Sequence, residues 1–293
     1  MYFSGIKKYI IIVLLPVIFY GCSSGDSGNS SGSNIADHSA ARLSVLESIP
    51  DSAVENAKSD LVIAYGHTSH GSQIVDGVNG LDAFMTGNGH TAGKYSGLVI
   101  NDFYGDFGGL GIANDLGADS AGNPDRIAWE SATRTYLDAH PEVNVIVWSW
   151  CGQVSSASES DISDYLGLMT GLESDYPDVK FVYMTGHLDG TGLTGNLHLR
   201  NEQIRKYCRD NNKILFDFAD IETYDPDGTC YGNQHPTDAC TYDGGNWAAA
   251  WQGSHTVDVD WYNCPSAHSE AVNANMKAYA FWWLMARIAC WDN

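Results

Sequence analysis

"DLVIAYGHTSHGSQIVDGV", residues 60–78, decides how this chain is read. Its first seven residues are mostly apolar, the composition of a strand buried on both faces of a sheet. Gly66 ends that run, and His67, Thr68, Ser69 and His70 follow in succession. From residue 72 to about 84 the apolar positions recur at helical spacing. A strand that hands over to a helix through a polar turn lets the Ser69 hydroxyl project from the sheet edge. Ser69 is therefore either an active-site nucleophile or a helix N-cap, a role that Ser72 would fill as well.

Outward from this stretch the same alternation continues. Apolar runs at 96–103, 143–150, 179–186 and 213–220 read as further strands, and stretches at 124–139, 160–175, 197–211 and 269–291 as helices. This pattern predicts one α/β domain over residues 41–293, with a parallel sheet of about five strands between two helical layers. Residues 221–263 are too long for an ordinary connection and read as a functional insertion. In open α/β sheets, ligands bind beyond the carboxyl ends of the strands. Polar and reactive residues collect at those ends: His67, Ser69 and His70, then Asn101, Asp102 and Gly105, then Ser149, Trp150, Cys151 and Gln153, then His187, with His268 opening the last helix.

Residues 1–21 carry Lys7 and Lys8 ahead of an apolar stretch of about a dozen residues, the layout of a secretory signal and too short for a stable membrane span. Cys22 and the Ser/Gly-rich run to residue 40 resemble the lipidated cysteine and tether of a bacterial lipoprotein. The expectation is a cell-envelope protein, anchored to a membrane through lipid on Cys22 or secreted. With 15 basic against 36 acidic residues the net charge is −21, which argues against nucleic acid as a partner. Beyond Cys22 lie Cys151, Cys208, Cys230, Cys240, Cys264 and Cys290. In an exported chain an even number predicts up to three disulfides, with Cys230–Cys240 the first choice for tying the insertion. Cys151 reads as a disulfide partner or as a nucleophile.

Three other groups carry open readings. His67, His70 and His187 line a substrate pocket together with Trp150, make structural hydrogen bonds, or bind zinc; the two histidines of His67-x-x-His70 straddle a turn and do not share a helical face. Asp225 and Asp227 in "YDPDG" (224–228) form a fragment of a calcium loop or a simple Pro-Asp-Gly turn. Trp247, Trp251, Trp261 and Tyr262 offer stacking faces for sugar rings or pack the insertion onto the body.

The order of these residues resembles the SGNH (GDSL-like) hydrolase superfamily. "GHTSHG" (66–71) stands where that family carries Gly-Asp-Ser, "WCGQVS" (150–155) near its Gly-x-Asn block, and "CPSAHS" (264–269) near its Asp-x-x-His block. The resemblance implies a three-layer flavodoxin-like fold and a serine esterase without a cofactor. Ser69 would attack, His268 would move protons, and Gly105, Gln153 and the Ser69 amide would hold the oxyanion, with Ser149 a competitor for the place of Gln153. Pro265 stands where the family has its aspartate, so Asp258 or Asp260 would supply the acid, or a Ser–His dyad would work without one. The substrate class is ester-linked acyl groups, O-acetylated glycans first. Two rival readings are a surface lipoprotein that binds glycan or a partner without turnover, and a metal-dependent hydrolase built on His67, His70 and His187.

Overall fold

The computed structural model describes residues 34–291, so the expected signal segment, the lipid attachment at Cys22 and most of the tether lie outside the described residues. Six strands form one sheet: β1 (Ile35–Ala36), β2 (Val62–His67), β3 (Val99–Tyr104), β4 (Val145–Trp148), β5 (Lys180–Met184) and β6 (Ile214–Phe216). Every neighbouring pair is parallel, in the order β1-β6-β5-β4-β2-β3. Without β1, the strands run 2-1-3-4-5, a doubly wound order whose reversal lies between β2 and β4. The expected sheet of about five strands therefore has six. Strand β1 was missed because two residues carry no periodicity, and it moves the start of the fold from residue 41 to Ile35.

The helices are α1 (Leu43–Glu47), α2 (Asp51–Asp60), α3 (Ser69–Gly87), α4 (Ala128–Ala139), α5 (Glu159–Asp175), α6 (Asn196–Asp210), α7 (Phe218–Thr223), α8 (Trp247–Ser254) and α9 (Ala271–Ile288). Helix α9 packs against α1, α2, α3 and α7, while α5 packs against α4 and α6. Nearly every residue of α9 is buried, as expected of a largely apolar helix at the centre of a layer, and its buried polar residues Asn273, Asn275 and Lys277 are hydrogen-bonded. Ile74, Val78, Leu81 and Met85 give α3 its core stripe. Gly77 brings the α3 and α9 backbones together, since a Cβ there would sit 2.3 Å from the carbonyl oxygen of Ala274. No helix among the described residues is long and apolar enough to cross a membrane.

The insertion is held by hydrogen bonds, and the expected Cys230–Cys240 disulfide is absent. Cys151, Cys208, Cys230, Cys240 and Cys264 are all free thiols, Cys230 exposed and Cys240 buried. In place of that link, Trp247 Nε1 donates to the Glu222 carbonyl (3.1 Å) and Trp251 Nε1 to Asp227 Oδ2 (2.9 Å). Tyr262 Oη donates to the Gly77 carbonyl (2.8 Å). These rings pack the insertion onto the body, so Trp247, Trp251 and Tyr262 present no sugar-stacking platform. Asp225 accepts from the Thr229 amide (2.8 Å), and its own carbonyl accepts from the Gly228 amide (2.9 Å), a turn with its carboxylate engaged.

Candidate active site

Strand β2 ends at His67, and α3 begins two residues later at Ser69. The turn is this tight because Gly71 has no side chain: a Cβ there would lie 2.3 Å from Ser149 Oγ and 2.4 Å from His67 Cβ. Ser69 Oγ sits 2.9 Å from His268 Nε2, although the two residues are 199 positions apart. Ser69 is not a cap. The N-cap is Thr68, whose side chain makes no capping bond because its hydroxyl donates to Asp115 Oδ2 (3.0 Å). Ser72 is no cap either, since its hydroxyl donates to the Ser69 carbonyl (2.7 Å).

His268 lies in the turn before α9 with φ of +65°, a left-handed conformation that non-glycine residues seldom adopt. Strain of this kind persists where surrounding bonds over-determine it. Gln73 Nε2 donates to the Ala267 carbonyl, the Ser269 amide donates to the Ser266 carbonyl (2.9 Å), and Asn273 Nδ2 donates to Ser269 Oγ (2.8 Å). Gln73 is anchored from behind by the fully buried Lys277, which also donates to Glu222 Oε1 (2.8 Å). Glu222 Oε2 accepts the Leu188 amide (2.8 Å), and the Leu188 carbonyl lies 2.8 Å from His187 Nδ1. One buried ion pair thus braces both His268 and His187. Burial pushes the Lys277 ammonium down, with Glu222 pulling the other way.

Two of the three expected oxyanion donors are already engaged. The Gly105 amide donates to the His67 carbonyl (2.8 Å), extending the β2–β3 pairing. Gln153 Nε2 donates to Asp115 (3.0 and 3.2 Å), and its Oε1 accepts the Cys151 amide (2.9 Å). The rival Ser149 is buried, with its amide on the Gly66 carbonyl (3.0 Å). The third donor, the Ser69 amide, stands in the uncapped first turn of α3, where helix amides have no intrahelical acceptor. A helix N-terminus also carries the positive end of its dipole, so this turn suits a developing oxyanion.

Neither expected acid reaches His268. The Asp258 carbonyl accepts from Asn88, the C-cap of α3, while Ser69 stands at the other end of that 19-residue helix, roughly 28 Å away at 1.5 Å per residue. Asp260 Oδ2 accepts the Thr256 amide (2.8 Å) in the same distal turn. The carboxylate at the site is Asp238, which the sequence reading missed. It belongs to the insertion and lies 2.9 Å from His70 Nε2. The carbonyls and amides of 189–190 and 236–237 pair to hold its loop beside the end of β5.

The imidazoles are stacked. His187 lies on one face of His70 (centroids 3.7 Å apart, planes 7° apart) and His268 on the other (4.4 Å, 16°). Burial pushes the His70 ring below its ordinary value against the pull of Asp238. Burial would raise the Asp238 carboxyl, but the His70 bond and the nearby imidazole charges hold it below the usual range. Cys151 Sγ completes the cluster, 3.5 Å from His70 Nδ1.

His67 stands apart from this group. It is buried, with Nε2 2.5 Å from Asp102 Oδ1 and Nδ1 2.9 Å from the Thr68 carbonyl, so its part is structural. Trp150 is buried too, its Nε1 donating to the Met184 carbonyl (3.0 Å). The expected His67/His70/His187 metal set is therefore not assembled. His70, His187 and Asp238 do offer donor atoms within 4.8 Å of one another, as do Asp37, His38 and Asp220. Two parallel stacked rings send their in-plane lone pairs side by side, so a cation shared by His70 and His187 requires one ring to turn. Comparison of the chain with family models, curated proteins and solved structures finds no match.

Proposed function

We propose that this protein is a serine ester hydrolase of SGNH type, acting on ester-linked acyl groups from the cell envelope side of a lipid anchor at Cys22. The observation that carries the reading is the 2.9 Å contact between Ser69 Oγ and His268 Nε2 at the uncapped N-terminus of α3. The doubly wound strand order, the serine after β2 and the histidine just before α9 support the same family.

In this mechanism the Ser69 hydroxyl donates its proton to His268 Nε2 as Oγ attacks the ester carbonyl. The carbonyl oxygen becomes an anion facing the first-turn amides of α3. His268 returns the proton to the departing alcohol, and a water molecule then repeats the sequence on the acyl-Ser69 ester. Proton transfer of this kind contributes about 10²–10⁴-fold and a preorganised oxyanion donor about 10²–10³-fold. A dyad suffices for an ester, whose alkoxide leaves more readily than an amine.

The test is hydrolysis of p-nitrophenyl acetate by the wild type and by Ser69→Ala. The reading requires turnover that Ser69→Ala abolishes; equal rates end it. Activity that survives Ser69→Ala but disappears with a chelator replaces it with metal-assisted hydrolysis.

A further inference from the structure

We propose that Cys151, His70 and Asp238 form a second nucleophilic centre in the same cleft, a thiol that takes acyl groups from thioesters. The carboxylate of Asp238 only accepts, so His70 Nε2, 2.9 Å from Oδ2, carries the proton of that bond. In the neutral ring Nδ1 is then the lone-pair nitrogen, and it faces Cys151 Sγ at 3.5 Å. Thiol, imidazole and orienting carboxylate stand in the relation that activates a cysteine nucleophile. Each partner is held independently of the others. Gln153 fixes the Cys151 amide, the stack with His187 and His268 fixes the plane of His70, and the Ala239 amide donates to Asp238 Oδ1 (2.9 Å).

A separate observation points to a ligand at this thiol. His187 Nδ1 is turned to the Leu188 carbonyl, so Nε2 is an acceptor, and it is buried with no partner among the described residues. It lies 3.9 Å from where a side chain on Gly152, the residue after Cys151, would begin. A bound donor would meet that nitrogen with an N–H or O–H while its carbonyl lay beside Sγ. Cys151 is half-buried and Gly152 exposed, so the approach is open.

The step balances without a co-reactant. Sγ attacks the thioester carbonyl and its proton passes to His70 Nδ1. The new S–C bond forms as the bond to the leaving thiol breaks, and Nδ1 returns the proton to that thiol. Thioesters fit best because exchange between two thiols is nearly isoenergetic, whereas forming a thioester from an alkyl ester runs uphill. This centre does not use Ser69 and stands whether or not Ser69 turns over.

The experiment is labelling of the intact protein at neutral pH, with peptide mass mapping, by iodoacetamide and by the acetyl thioester of N-acetylcysteamine. Cys230, an exposed free thiol, is the internal reference. Cys151 is expected to react at least about ten times faster than Cys230 with both reagents, in wild type and in Ser69→Ala alike. His70→Gln is expected to slow Cys151 by on the order of 100-fold while leaving Cys230 unchanged. Equal rates at Cys151 and Cys230 in the wild type overturn the proposal with no variant needed. Reactivity of Cys151 that emerges only after chelation also overturns it, because a cation would then hold His70.

Discussion

His268, the partner of Ser69, rests on the face of His70 with ring centroids 4.4 Å apart, and it is His70, not His268, that binds the carboxylate of Asp238. The acid of this site therefore acts one ring away from the base. A charge that develops on His268 during attack is felt by Asp238 through a stacked imidazole in place of a direct hydrogen bond. Asp238→Asn is accordingly expected to lower kcat/KM for an acetate ester by about ten-fold, against the roughly 10⁴-fold of a directly bonded triad acid. Steady-state kinetics check this; a 10⁴-fold loss would mean that Asp238 turns to bond His268 during the reaction.

Ser69 and His268 act as a unit, so their losses do not add. Ser69→Ala and His268→Ala are each expected to cost about 10³-fold or more in kcat/KM, with the double variant no slower than either single one. Additive losses would place the two residues in separate steps.

The Gly71 contact with Ser149 and His67 predicts a packing defect. Gly71→Ala forces a Cβ into a space where Ser149 Oγ lies 2.3 Å away, and overpacking of this kind costs about 1–3 kcal/mol. The melting temperature is expected to fall by about 2–4 °C for each kcal/mol, and ester hydrolysis to fall with it as the α3 N-terminus shifts. An unchanged melting temperature would contradict the tight turn.

Lys277 and Glu222 are both fully buried and paired at 2.8 Å. Lys277→Met leaves an unpaired buried carboxylate, with an expected cost of about 3–5 kcal/mol. Adding Glu222→Gln should recover part of it. Denaturant unfolding of the single and double variants measures this, and a double variant less stable than the single one would argue against the pair.

The pH dependence of stability has a definite sign. His70 is held below its ordinary value of 6.5 by burial, so below about pH 6.5 the unfolded chain takes up a proton that the native chain refuses, and stability falls. Asp238, held below the usual carboxylate range, keeps its contribution above that range and loses it as pH drops further. His38 has the opposite sign. Burial opposes its charge, but the bond and charge of Asp220 win and raise it, so its contribution is full below 6.5 and disappears as pH rises through the raised value. Urea unfolding at pH 5, 7 and 9 is expected to show His70→Gln flattening the acid limb and His38→Ala flattening the alkaline one. A variant with the wild-type slope on its own limb would show that its histidine carries no linked proton.

Much of the scaffold was legible. Short, β-branched apolar runs such as "VIAY" and "VIVW" read as strands covered on both sides, and the helix-length gaps between them point to parallel crossovers. Strand β1 and helices α1 and α2 were not, because they are too short or too polar to repeat a pattern. Lys277 was visible in principle, a cation in the middle of a largely apolar helix, and such a residue demands a buried partner. The disulfide expectation failed at Cys230–Cys240 because cysteine count carries no distance.

Sequence alone determined that Ser69 sits on the turn between a strand and a helix and that His268 precedes the last helix, since both follow from local periodicity. Which side chains meet was decided by the tertiary structure. The insertion folds back to bring Asp238 to His70 and carries Asp258 and Asp260 to the far end of α3. Hydrogen bonds between groups more than a hundred residues apart depend on loop paths, and no local preference of the chain encodes those paths.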